Sequence, residues 1–362
     1  MMTMILGTLK SFLANRAFAA GVCGICCSQT AMAAPLPQEQ TPPPATALIR
    51  NHTAWRDAKG NLIDCHEGGI IQVGAKYYWY GRSYHGNDQA IYGTNGAKFR
   101  CGFNCYSSGN LVDWTFEGNI LAYPESGWIT EGTWHRPRVL FNKTTGKYVL
   151  WFFCLGIPQG KPWVKDVVAV ADGPTGPFTI IGERKMAIDP SGDLALFQDV
   201  DGRGYMANRD WKRNGFVLPL SADFQNAVGD PALALPAAGG ISYEGLCLAH
   251  FKGKYIVAGS YVKGLSPSDT TYAIADAPMG PYVVKGLMSQ QNTWRSQISS
   301  FFHIVETDSL FALCEQWLIG PHGEPVPGEQ STQLWLPVIF DPKTGTAQMR
   351  YLEQWDPRAE QK

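Results

Sequence analysis

Residues 68–83 read GGIIQVGAKYYWYGRS. A β-branched run, Ile70 to Val73, meets a glycine turn at Gly74, and an aromatic run, Tyr77 to Tyr80, follows. That is a strand, a tight turn and a second strand. The same plan returns four times. Pro137 to Phe153 turns at Asn142–Gly146, and Leu194 to Asn208 turns at Asp199–Gly202. Leu246 to Ser260 turns at Lys252–Lys254, and Ile298 to Trp317 turns near Thr307 and Asp308. Asp, Asn and Gly supply the backbone angles such turns need.

Each hairpin also carries one polar residue at its start and an aromatic 10 to 14 positions later. The pairs are Glu67 and Tyr77, His135 and Tyr148, Asp193 and Tyr205, Glu244 and Tyr255, Gln297 and Phe311. A second repeat accompanies the first. Ala171-Asp-Gly-Pro-Thr-Gly-Pro-Phe178 returns as Ala275-Asp-Ala-Pro-Met-Gly-Pro-Tyr282, 104 positions later. That is about two hairpin units, and it reads as a link from a third strand to an outer fourth. Multi-strand repeats of this period predict an all-β, five-bladed β-propeller, with a long-looped β-sandwich as the competing fold. In a propeller the five polar residues converge on one pocket.

Composition narrows the partners. Charged residues make up 17% of the 362, and the formal net charge is −1. Nucleic acid and anionic membranes both call for a basic surface, so neither is expected. Residues 1–34 read as a secretion signal: Lys10 and Arg16, an apolar run from Ala17 to Cys27, and a small-x-small site at Ala31–Ala33. Residues 35–54 form a Pro-rich linker and N-terminal segment, and 55–362 the propeller domain. Secretion or periplasmic export is the expectation, with no membrane span. Cys101 and Cys105 are spaced for a loop disulfide, while Cys154, Cys247 and Cys314 sit in apolar runs and read as buried thiols. No metal or cofactor motif stands out.

Two carboxyl groups across one pocket are what glycoside hydrolysis needs. One is protonated to donate to the leaving oxygen, and the other activates water. A third carboxylate nearby raises the donor's pKa.

The chain resembles glycoside hydrolase family 43 over residues 55–340. Asp193-Leu-Ala-Leu-Phe-Gln-Asp-Val-Asp-Gly202 is similar to that family's acid-tuning segment, and Glu244-Gly245 to its general-acid strand. Within the family it most resembles the exo-β-1,3-galactanase branch. The branch markers are His66-Glu-Gly-Gly-Ile70, Tyr77-Tyr-Trp-Tyr-Gly81, Arg136-Pro-Arg-Val139, Ser296-Gln297 and Leu334-Trp-Leu-Pro337. The resemblance implies a five-bladed propeller, an inverting mechanism, and a Gln on the last blade standing in for the base. Two positions depart from the branch. Glu67 replaces a Gly after the His, and His135 replaces a Glu before Arg-Pro.

The resulting expectation is a secreted exo-glycosidase acting on galactan-type oligosaccharides or polysaccharides. Glu244 is the general acid and Asp193 tunes it. Glu67 activates water, or Gln297 holds it. His66, His135 and Arg136 bind sugar hydroxyls, and Trp335 stacks on a sugar face. The alternative is a carbohydrate-binding propeller without catalysis.

Overall fold

The computed structural model describes residues 47–359 except 52, 84–101, 122, 123, 125, 157–161, 190, 191, 264, 265 and 317–331. Two-residue strand β1 (Ile49–Arg50) comes first. Blade one follows as β2 (His66–Val73), β3 (Lys76–Arg82), β4 (Phe103–Ser108) and β5 (Thr115–Leu121). Blade two is β6 (Gly132–Asn142), β7 (Lys147–Gly156), β8 (Trp163–Ala171) and β9 (Thr179–Arg184). Blade three is β10 (Ala195–Gln198), β11 (Gly204–Arg209), β12 (Gly215–Pro219) and β13 (Ala232–Leu235). Blade four is β14 (Tyr243–Phe251), β15 (Lys254–Tyr261), β16 (Thr270–Ala275) and β17 (Val283–Leu287). Blade five is β18 (Gln297–Ile304), β19 (Ser309–Gln316), β20 (Thr332–Asp341) and β21 (Thr346–Met349), and β22 (Gln354–Trp355) ends the chain's strands. Each blade is a four-stranded antiparallel meander in sequence order.

The first strands of the blades form the hub. β2 packs on β6, β6 on β10, β10 on β14, β14 on β18, and β18 back on β2. The predicted five-bladed propeller is therefore the observed fold. The octapeptide repeat lies where it was expected, between β8 and β9 of blade two and between β16 and β17 of blade four.

Five apolar cores fill the five blade-to-blade gaps. Strand periodicity explains how one run feeds two of them, since successive side chains point to opposite faces. Tyr77 and Trp79 join the core shared with blade five, while Tyr78 and Tyr80 face the core shared with blade two. Cys154, Cys247 and Cys314 are buried, as are Cys65 and Cys105. Cys101, the expected partner of Cys105, lies outside the described residues.

Closure of the ring draws in more chain than the sequence suggested. β1 pairs antiparallel with β22, and the Asn51 amide donates to the Trp335 and Leu352 carbonyls. These residues precede position 55, yet they are part of the folded unit.

Trp335 is the one candidate site residue that the fold removes from the hub. It is 0% exposed and packs within 6.0 Å of the Trp55, Trp79, Trp114 and Phe311 rings, measured between centroids. It belongs to the core that seals blade five to blade one. A ring enclosed on every side cannot stack on a sugar, so the expectation for Trp335 is corrected. The apolar neighbours Leu334 and Leu336 were the sequence sign of this.

Candidate active site

The inner strands place their polar residues through a shared irregularity. Pairing with the second strand slips at His66–Gly69, His135–Arg138, Glu244–Cys247 and Ile298–Ser300. Such bulges re-aim side chains at the end of a sheet. Glu67, Arg136 and Asp193 have φ between 51° and 62°, and Gly245 has φ 63°. Non-glycine residues seldom adopt such angles, and they concentrate at functional sites. The Glu-Gly pairs follow from close packing. A Cβ on Gly245 would lie 2.6 Å from the Ile298 carbonyl oxygen, and one on Gly68 would lie 1.9 Å from the Tyr80 carbonyl oxygen.

These bulges, and the left-handed backbone at Asp193 just before β10, bring Glu244, Asp193, Gln297, Arg136, Glu67 and His135 into one hydrogen-bonded cluster. Arg136 is its centre. Its Nε donates to Asp193 Oδ1 at 3.1 Å, and Nη2 donates to Gln297 Oε1 at 2.8 Å. Its backbone N–H donates to Glu67 Oε2 at 3.2 Å. Arg209 Nε donates to the other Asp193 oxygen at 2.7 Å. Burial works against ionisation of Asp193, yet Arg209 and Arg136 bring its carboxyl below the ordinary value.

Glu244 is placed differently. Oε1 accepts from Gln297 Nε2 at 2.9 Å, and Arg213 Nη1 lies 3.5 Å from Oε2. Its side chain is 15% exposed, more open than those of Glu67 and Asp193. Burial and then the Asp193 charge push the Glu244 carboxyl up to about 7, against the pull of Arg209, Arg136 and Arg213. Two carboxylates in one pocket thus have their titrations driven apart, a pattern typical of acid–base pairs.

Glu67 joins the cluster from β2 of blade one. It is 2% exposed, with Arg82 Nη1 3.2 Å from Oε1 and His135 Nδ1 3.0 Å from Oε2. Despite burial, His135, Arg82 and Arg136 hold its carboxyl well below the ordinary value. Its backbone N–H donates to Glu315 Oε1, and its carbonyl accepts from Arg138 Nη1. His135 stacks on Phe153 at 4.9 Å and sits 2.7 Å from Thr133 Oγ1. Burial pushes the His135 pKa down, with Glu67 pulling the other way. His66 is buried, its Nε2 3.5 Å from Asp64.

Several members of this network were not singled out from sequence. Arg82, Arg209 and Arg213 close strands or follow them, and Glu315 lies at the end of a second strand. Each carries an ordinary surface residue type, and only the antiparallel register returns these positions to the hub. Glu315 pairs with Gln297 across β18 and β19. Asp199 also does more than turn a hairpin. Its carboxylate joins two blades, lying 3.0 Å from His250 Nδ1 and accepting from the Tyr255 hydroxyl at 2.5 Å.

A cavity of about 450 Å³ opens at the opposite end of the hub. It is lined by the far ends of the inner strands, including Gln72, Asp199, His250 and His303. Glu244, Asp193 and Gln297 do not line it. Among the described residues no group of three or more His, Cys, Asp or Glu is placed to hold a metal ion. Nor is any described helix long and apolar enough to cross a membrane.

The family model for glycosyl hydrolases family 43 matches residues 64–305. Among solved structures, a family 43 β-1,3-galactosidase with galactodeoxynojirimycin is similar at TM-score 0.74 and 24% identity, covering 85% of this chain and 100% of its own. An exo-β-1,3-galactanase from Phanerochaete chrysosporium with β-1,3-galactotriose is similar at TM-score 0.72 and 26% identity, covering 86% and 68%. A putative exo-β-1,3-galactanase from Bifidobacterium bifidum is similar at TM-score 0.70 and 25% identity, covering 84% and 96%. No curated protein matches the sequence.

Proposed function

The chain belongs to glycosyl hydrolases family 43 and is a glycoside hydrolase, and from that premise we propose that it is an inverting exo-acting enzyme that removes galactose from β-1,3-linked galactan or its oligosaccharides. The sugar assignment rests on the galactanases and galactosidase to which the fold is similar.

One observation carries the mechanism. Glu244 is a partly exposed carboxyl with its pKa raised to about 7, beside an Asp193 that Arg136 and Arg209 keep ionised. Below pH 7 Glu244 is mostly the neutral acid. Its Oε1 accepts from Gln297, so the proton sits on Oε2. That proton passes to the glycosidic oxygen as the bond to the anomeric carbon breaks. The new Glu244 anion then faces Arg213, Arg209 and Arg136, which stabilise it.

Water attacks from the other side of the sugar. Glu67 is poorly suited to activate it: both carboxylate oxygens are engaged, the group is buried, and its low pKa makes it a weak base. We assign Glu67 to holding Arg136, His135 and Arg82 in place. Gln297 holds the water. Its Oε1 accepts from Arg136 and keeps a second lone pair for it. Gln297 and Glu244 are in direct contact, whereas an inverting pair brackets a sugar across roughly 6.5–9.5 Å. The substrate therefore seats by parting the bond between them. Arg136 contacts substrate through the same opening, and the buried His66 and His135 act through their neighbours.

The N-terminal segment, with Lys10, Arg16 and the apolar Ala17–Cys27 run, supports export of the enzyme to the secreted or periplasmic space. That places it where polysaccharide is met. Cell fractionation tests this part alone.

The deciding experiment compares the wild type with Glu244→Gln on β-1,3-galactobiose and a panel of nitrophenyl glycosides, with NMR of the first-formed anomer. The expected result is an α-galactose product and loss of most activity in the variant. Full activity in Glu244→Gln removes the acid assignment, and sugar binding without turnover by the wild type favours a non-catalytic propeller.

A further inference from the structure

We propose that Trp211 is the platform on which the leaving-group sugar stacks, one unit beyond the scissile bond. This rests on the reading of Glu244 as the acid of a glycosidase, and it assigns a residue that no sequence motif indicated.

β10 leaves the hub cluster at Asp193, and β11 returns to it antiparallel, with Ala195 opposite Ala207. The turn after β11, residues 210–214, therefore lies at the cluster's end of the propeller. Both flanks of that turn reach the candidate acid pair. Arg209 Nε donates to Asp193 Oδ2 at 2.7 Å, and Arg213 Nη1 lies 3.5 Å from Glu244 Oε2. Trp211 sits midway between the two arginines in sequence.

The turn is rigid. Asn214 N and Nδ2 donate to the Asp210 carboxylate, each at 2.9 Å, and Arg213 N donates to the Asp210 carbonyl at 2.9 Å. Asn214 Oδ1 accepts from Ala237 N at 2.7 Å, and the Arg213 carbonyl accepts from Tyr243 N at 3.1 Å. Tyr243 immediately precedes Glu244. The turn is thus tied by side chains and backbone to the strand that carries the acid.

On this fixed support Trp211 is 51% exposed. A lone exposed apolar residue is ordinary on a protein surface. The position sets this one apart, because an indole carried on a fixed turn between Arg209 and Arg213, the two arginines that reach the acid pair, is a preorganised stacking surface. The ligand chemistry agrees. A β-galactopyranose has an axial 4-hydroxyl, so C3–H, C4–H and C5–H share one apolar face. The tryptophan expected from sequence to stack, Trp335, is enclosed in a core, which leaves that role to another ring.

The test uses two substrates that differ only in the leaving group. β-1,3-Galactobiose releases a sugar, and β-galactosyl fluoride releases an ion with no ring to stack. In Trp211→Ala, kcat/KM for galactobiose should fall about tenfold, the size of one ring stack. The fluoride rate and the pH profile should not move, and Trp211→Phe should recover most of the loss. Equal loss on both substrates, or loss on neither, overturns the proposal. If the wild type cleaves neither substrate, the galactosidase reading fails by itself. The platform is then decided by calorimetric binding of galactobiose: about tenfold weaker binding by Trp211→Ala supports it, and equal affinity or no wild-type binding overturns it.

Discussion

Gln297 joins the two ends of the proposed reaction: its Nε2 donates to Glu244 Oε1 at 2.9 Å while its Oε1 accepts from Arg136 Nη2 at 2.8 Å. Before substrate parts the first of these bonds, the amide has a fixed orientation, with its oxygen turned away from the acid. Replacing Gln297 with Ala removes the water's acceptor without removing the acid. We expect kcat on β-1,3-galactobiose to fall by about 10²-fold, with the alkaline limb of the pH profile still set by Glu244. An unchanged kcat rules Gln297 out of the water's path.

Asp193 raises the Glu244 pKa by like-charge repulsion, and it also occupies Arg136 and Arg209. Asp193→Asn removes the repulsion and leaves two guanidinium groups nearer in effect to Glu244. Both changes lower the acid's pKa. The alkaline limb of kcat/KM, near pH 7 in the wild type, should move to lower pH in Asp193→Asn. A limb that stays in place or moves up contradicts the assigned role.

A raised carboxyl pKa costs stability where the group must ionise in the folded state. The Glu244 carboxyl is at about 7 in the fold against an ordinary 4.5. Between those values the folded state binds more protons than the unfolded state, so stability falls as pH rises. The whole effect is about 3 kcal/mol. Urea melts of wild type and Glu244→Gln should thus diverge with pH. The variant gains on the wild type from pH 4.5 to 7, and the difference is flat above that window.

Glu67 has the opposite sign. Its pKa is held well below 4.5, so its stabilisation is present above that value and is lost as pH falls through the lower, folded one. Removing it leaves the buried Arg82 without its carboxylate. Glu67→Ala should cost about 3–5 kcal/mol at pH 7. Arg82→Met in the same background should cost much less than it does alone, because the pair shares one interaction. Additive losses in the double-mutant cycle remove the proposed scaffold role.

Trp335→Ala should destabilise the fold by about 3–5 kcal/mol through the cavity left between blades five and one. In the fraction that remains folded, KM for galactobiose should be unchanged. A raised KM with unchanged stability restores the sugar-stacking role.

How much of this was legible in the sequence differs from residue to residue. The hairpins could be read because turns and alternating strands are local, and their cues lie within a few residues. Glu244 and Asp193 could be read because each opens a hairpin in step with the other blades. Arg209 and Arg213 could not, because nothing near them in the chain shows that β11 ends beside Asp193. Trp335 was misjudged because its apolar neighbours Leu334 and Leu336, the mark of a strand buried on both faces, were given too little weight.

The amino-acid order alone determined five repeated hairpins, their polar leading residues and the ring they build, since backbone turns and strand alternation are set by near neighbours. Which carboxyl stays protonated, which is locked among arginines, and which aromatic faces solvent were decided only when distant strands met. Those properties depend on burial and on charges a few ångströms away, and such neighbours come from other blades.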